Sequence, residues 1–204
     1  MENKAYLEQI SAATRPVKKK NEGFLSSIYF KVIVGGILGI VAIMILGSIL
    51  SAGRGSEKTR TISLEVRISN TVEVVKKYQT EVKSSDLRSN GASFLTVLSN
   101  TAKELSEFLA EKYEFKEKNV DKEISAKEEP AKNELETDLF SAKINGILDR
   151  IFAHKMAYEI SVITTREEEI IKSTRNAELK EILTTSYNSL ENLYGNFNDF
   201  SEAN

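Results

Sequence analysis

The chain contains one histidine, His154, the side chain best suited to acid–base or metal chemistry near neutral pH. It follows Ile151 by three residues and precedes Tyr158 by four, so helical periodicity predicts that it lies on the packed face. A histidine there is either a ligand or proton carrier, or a core residue hydrogen-bonded to a backbone group or a tyrosine. We favour the core interpretation, predict no metal site, and regard His154 as a weak candidate ligand.

Other reactive groups are scarce. The chain has no cysteine, which excludes thiol chemistry and Cys-based metal sites, and no Ser-His-Asp triad can be argued from its single histidine. The acidic runs Glu128–Glu129 and Glu167–Glu169 could hold a divalent cation, but we interpret them as solvated charge. No phosphate-binding loop or calcium loop occurs. We therefore predict no catalytic residue, no cofactor and no enzymatic activity.

The charges are divided unevenly. Residues 1–31 carry six basic and three acidic side chains, a net charge of +3, and the remainder carries −5, which together give the total of −2. Nucleic-acid binding requires a basic face that neutralises phosphates, and the acidic larger part does not supply one. We predict no nucleic-acid partner.

An uncharged apolar run covers residues 32–50, nineteen residues that could cross the core of a bilayer as a helix. We predict a transmembrane helix over 32–52, after a short cytoplasmic tail at 1–31 and before an extracytoplasmic domain at 56–200. Five basic residues between 15 and 31 precede the run and four between 54 and 67 follow it, which favours an inner N-terminus. A cleaved signal peptide is the rival interpretation, although this run exceeds the usual length.

Two short motifs around this run suggest further interpretations. Gly35 and Gly39 have the spacing that lets two membrane helices approach closely, which predicts a homodimer through this face, although glycine is common in membrane helices generally. The segment from Lys18 through Gly23-Phe24 resembles the cleavage site of type IV pilin-like proteins, which implies a cut after Gly23. It departs from that family at Ile28, where a glutamate is usual, and in lacking a strand-rich head.

The rest of the chain predicts an all-α fold. Apolar residues recur at steps of three and four in four segments, with a charged loop near 116–133 and a helix stop at Gly195-Asn196. The third predicted helix runs from 131 to about 173 through Gly146. We predict an antiparallel bundle of about four helices. The predicted core positions are Ile147, Ile151, Leu183 and Leu190.

Part of the bundle resembles a family. Ala153-His154, Tyr158 and the run from Asn176 to Lys180 are similar to the last two helices of membrane-anchored or secreted ferritin-like bundles of unknown function in bacteria. A di-metal centre in such bundles uses Glu-x-x-His on two helices, and here Ile151 occupies the glutamate position and no second histidine exists. The resemblance therefore implies the fold without the usual metal ligands.

These observations together predict a single-pass cell-membrane protein with an extracytoplasmic helical bundle. Its function is predicted to be non-enzymatic, as an interaction or envelope-scaffold module that contacts the lipid bilayer and an unidentified protein partner. A ferritin-like metal-binding or oxidative-stress protein is the alternative, and a pilin-like subunit is the third.

Overall fold

The computed structural model describes residues 56–115 and 122–203, with side chains described to residue 200. This part of the chain contains no strand, which confirms the all-α prediction. Its five helices are α1 (Glu57–Tyr78), α2 (Ser85–Tyr113), α3 (Lys122–Ile144), α4 (Leu148–Ser173) and α5 (Ala177–Ala203), and a 3₁₀ turn at Gln79–Glu81 follows α1.

The predicted membrane-spanning segment lies in a part of the chain that the structure does not describe. Within the described ranges, no helix combines the length and the apolar character needed to cross a bilayer. The predicted tail at 1–31, the membrane helix at 32–52, the Gly35/Gly39 face and the Gly23 cut all lie outside the described residues.

Side-chain hydrogen bonds cap the first turns of α2 and α5. The hydroxyl of Ser84 accepts a hydrogen bond from the backbone N–H of Leu87 at 3.3 Å, and the Asn176 amide oxygen accepts one from Leu179 at 3.0 Å. Such caps satisfy N–H groups that have no partner within the helix. Serine and asparagine are among the residue types preferred at this position.

Four of the helices form a ring in which each is antiparallel to its neighbours: α1, α2, α5 and α4. Helix α3 lies outside this ring and packs against α1 and α4. The predicted core positions Leu183 and Leu190 are fully buried, and Ile151 is half-buried. The largest fully buried side chains of the core include Leu64, Ile68, Phe94, Leu98, Leu105, Leu139, Phe152, Met156, Ile160 and Phe197.

The predicted third helix is in fact two helices, α3 and α4. Gly146 adopts a positive φ of +71°, and the N–H of Ile147 bonds to the carbonyl of Ala142 at 3.0 Å, which ends α3 in a tight C-terminal cap. Glycine adopts this left-handed conformation without the steric cost of a Cβ. The cap directs Ile147 outward, where it is 41 % exposed, so its predicted burial was wrong.

Two predicted irregular segments are helical. Residues 122–133 belong to α3, where Ile124 and Glu128 are buried and Pro130 lies on the exposed side; the predicted charged loop was wrong for this stretch, and 116–121 lie outside the described residues. Gly195 and Asn196 lie within α5, so the predicted stop there was also wrong. Lys, Glu and Ala are strong helix formers, and burial of Ile124 and Glu128 attaches this segment to the bundle.

Candidate functional site

A buried ion pair joins α1 to α4 at the side of the ring that α3 covers. The Arg67 guanidinium donates from Nε to Glu159 Oε2 at 2.9 Å and from Nη2 to Glu159 Oε1 at 2.7 Å. Arg67 is 6 % exposed and Glu159 is 2 % exposed, so both charges are removed from water. The hydroxyl of Thr71 donates to Glu159 Oε2 at 3.3 Å. This bidentate geometry is the strongest that an arginine and a carboxylate form.

Glu128 of α3 extends the pair into a network. Arg166 Nη1 donates to Glu128 Oε1 at 2.8 Å, and the Ser63 hydroxyl donates to the same oxygen at 2.7 Å. Arg67 Nη1 lies 3.8 Å from Glu128 Oε2. The four charged residues, called the Arg67 network below, are Arg67, Glu128, Glu159 and Arg166. Through them α3 is attached to both α1 and α4.

The electrostatics of the Arg67 network are those of a structural element. Burial alone would lower the pKa of Arg67, but the charges of Glu159 and Glu128 outweigh it, and the net pKa is raised. The guanidinium therefore stays charged at every accessible pH. Because its donors are bonded to Glu159 of α4 and its charge lies beside Glu128 of α3, Arg67 holds these helices against α1.

Another buried acid, Glu167, lies outside the Arg67 network, in α4 beside α5. It is fully buried, whereas its neighbour Glu168 is exposed, so the prediction that the whole acidic run is solvated was wrong. Both carboxylate oxygens of Glu167 and the hydroxyl of Ser186 are buried. None of these three atoms makes a hydrogen bond of ordinary geometry with a described residue. Burial raises the pKa of Glu167 to about 8, and the nearby Ser186 only partly opposes this. Glu167 is therefore mainly neutral at pH 7.

His154 lies on the exposed side of α4, so its predicted place on the packed face was wrong. The helix places Phe152, Ala153 and Met156 inward and turns position 154 toward solvent. Partial burial of the ring, and then the positive charge of Lys155, lower the pKa of His154. Lys155 itself pairs with Glu134 at 3.5 Å and with Asp138.

We expect the His154→Gln substitution to change the free energy of unfolding by no more than about 0.5 kcal/mol, because exposed positions away from caps and networks tolerate substitution. Urea denaturation of wild-type and variant protein at pH 7 measures the difference. The buried neighbour provides the matched comparison: Met156→Ala should cost about 2–5 kcal/mol. A loss for His154→Gln comparable with that of Met156→Ala would contradict the exposed placement.

The described side chains do not form a metal site. Among residues 56–115 and 122–200, no three His, Asp or Glu side chains converge where one ion could bind them together. The cationic partners of Glu128 and Glu159 are the guanidinium groups of Arg67 and Arg166. An added cation would have to displace them.

The buried charges escaped the sequence analysis although their spacing carried a signal. Glu167 continues the rhythm of Met156, Ile160, Ile163 and Ile170, all of which are buried. Glu159 likewise lies seven residues after Phe152 and four before Ile163, both of which are buried on the same helix. An acidic residue at a stripe position predicts a buried, specially partnered or neutral carboxyl. Residue type alone indicated solvated charge, because glutamate usually lies on the surface.

The bundle surface has a shallow groove between α2 and α5. Its rim carries five carboxylates, those of Glu104, Glu107, Glu111, Glu178 and Glu181, and its floor contains Phe108 and Ile182. Helices α2 and α5 are antiparallel, so the last turns of α2 face the first turns of α5. Five carboxylates from the two helices therefore lie together along this groove.

No protein-family model, curated protein or solved structure matches this chain. Functional inference therefore rests on its own residues.

Proposed function

We propose that this chain is a single-pass membrane-anchored protein whose extracytoplasmic helical bundle serves as a non-enzymatic interaction or envelope-scaffold module. The observation that carries the proposal is the uncharged run at 32–50, which is followed within a few residues by an amphipathic helical domain. The bundle presents long, regular helix faces. The charged side chains of the Arg67 network are directed inward and are bonded to one another. Such a domain suits binding by surface contact.

The orientation can be tested with single cysteines, because the natural chain has none. Lys112→Cys places a thiol on the exposed surface of α2, and Ala13→Cys places one in the predicted cytoplasmic tail. We expect a membrane-impermeant maleimide to label Lys112→Cys in intact cells and Ala13→Cys only after lysis. The opposite pattern would reverse the orientation. Recovery of the protein in the soluble fraction after lysis would contradict the anchor.

Two alternatives from the sequence stay predictions with their own measurements. A ferritin-like metal-binding function predicts near-equimolar iron, zinc or manganese in protein purified without chelator, whereas a scaffold function predicts none. A pilin-like function predicts a mature N-terminus at Phe24, which N-terminal sequencing detects. The described residues, which are helical and contain no strand, supply no specific support for a pilin-like head.

A further inference from the structure

Helix α3 carries an uncharged stripe on the side that faces away from the bundle. Its members recur at alternating steps of four and three residues and are all exposed. A repeat averaging 3.5 residues is the spacing with which one helix face meets another along its length. The stripe, called the α3 stripe below, consists of Ala126, Pro130, Asn133, Thr137, Phe140 and Ile144, with Ile147 in the turn that follows.

The second half of the α3 stripe is strongly apolar. Phe140 is 55 % exposed, Ile144 is 67 % exposed and Ile147 is 41 % exposed, and they are three of the four large exposed hydrophobic residues in the described part of the chain. The inward face of α3 is already occupied, because Leu135, Leu139 and Ala142 are buried against the bundle. Three neighbouring apolar side chains in water mark a contact surface.

The charges before and after the apolar half of the α3 stripe differ in sign. Glu134 and Glu136 lie before Phe140. Beyond Ile144, a second groove of the bundle is lined by three basic residues, Lys83, Lys143 and Arg150, and two acidic ones, Glu81 and Asp149. Arg150 and Lys83 form no ion pair with another described residue, and Glu136 pairs with Lys77 at 2.9 Å. A second stripe laid antiparallel across the first would therefore place acidic flanks beside basic ones. A parallel copy would place like charges side by side.

We propose that the α3 stripe binds the α3 stripe of a second copy of this chain, antiparallel, about a two-fold axis near Phe140 and Ile144. In this arrangement Phe140 packs against Ile144 of the other copy, and Thr137 lies beside its Ile147. The contact is self-complementary, as a two-fold interface requires. The inference rests on the proposed function, since it names the partner of an interaction module, but it is independent of the membrane anchor.

The first test is the mass of the full chain in detergent micelles, measured by sedimentation over a range of concentrations. We expect the wild-type chain to dimerise and the Phe140→Gln/Ile144→Gln double variant to bind itself about tenfold more weakly or worse. Tyr194→Gln is the matched control, because Tyr194 is an exposed large residue on α5, 42 % accessible, away from the stripe. A wild-type chain that stays monomeric, or a dimer unaffected by the double variant, would overturn the proposal.

The second test measures orientation by disulfide formation between introduced cysteines. A mixture of Thr137→Cys and Ile147→Cys chains should form a mixed disulfide on mild oxidation. Thr137→Cys alone should not, because the antiparallel arrangement separates its two copies by about 15 Å along the helix. Self-linkage of Thr137→Cys, or no disulfide in any mixture, would overturn the antiparallel pairing.

These outcomes are separable from failure of the proposed function. A dimer that survives the α3 changes and is lost on Gly39→Leu would assign self-association to the predicted membrane helix and overturn the α3 proposal. Labelling of Lys112→Cys in intact cells would still support the anchored module in that case. Conversely, loss of the anchor would leave the disulfide result unchanged.

Discussion

Replacing Arg67 with methionine is expected to lower the free energy of unfolding by about 3–5 kcal/mol, because it leaves buried carboxylates without their cation. Glu159 is 2 % exposed and would lose both hydrogen bonds from the guanidinium. Glu128 would keep Arg166 and Ser63 as partners, so most of the loss should arise at Glu159. Guanidinium chloride denaturation at pH 7, followed by circular dichroism, measures the change.

Two companion variants make this measurement specific. Arg67→Met combined with Glu159→Met removes both charges, and most of the lost stability should return, since an apolar pair of similar volume replaces a buried ion pair at little cost. Lys77→Met breaks the half-exposed pair with Glu136 and should cost far less, because exposed ion pairs contribute little to stability. An Arg67→Met loss as small as that of Lys77→Met would show that water reaches the network.

The Glu167→Gln substitution is expected to stabilise the protein increasingly as pH rises from 4.5 to 8. The pKa of Glu167 is about 8 in the folded chain against 4.5 in the unfolded chain, so over this interval the unfolded state binds fewer protons. The contribution of Glu167 is therefore fully present below pH 4.5 and falls by about 1.4 kcal/mol per pH unit, about 5 kcal/mol in all by pH 8. Glutamine cannot ionise and removes that loss.

The measurement is the difference in unfolding free energy between wild-type and Glu167→Gln protein at pH 5, 6, 7 and 8. Taking the difference cancels carboxylates such as Glu73, whose pKa is lowered by its hydrogen bond from Lys132 and whose contribution changes in the opposite direction. Glu168→Gln is the matched control on the exposed face, where Glu168 pairs with Lys172. A pH-independent difference for Glu167→Gln would mean that its carboxyl is solvated or paired.

The sequence was sufficient for features that depend on local spacing. The apolar rhythm of α5 identified Leu183 and Leu190 as core positions, and the helix caps observed at Ser84 and Asn176 are residue types preferred there. These features depend on interactions within one helix or on the face it must bury. They are visible in a single segment without knowledge of its neighbours.

Features that depend on neighbouring helices were predicted poorly. The three- and four-residue spacing of apolar residues continues across Gly146, although the helix ends there. The left-handed conformation of this glycine shows that the chain reverses direction. Arg67, Glu128 and Glu159 come from three different helices, so no segment contains the pattern that joins them. Helix α3 is charged over its first half and gains its stability from contacts with α1 and α4.

The number of helices has a mechanical consequence. Five helices that alternate in direction place residue 56 and the end of α5 at opposite ends of the bundle, and α5 alone, at 27 residues, is about 40 Å long. A pulling force applied between these two ends acts along the helix axes. Under such a force, whole apolar interfaces between helices must slide past each other in shear. If the two termini lay at the same end, the helices could instead separate one turn at a time. We therefore expect the bundle to resist tension applied along its length.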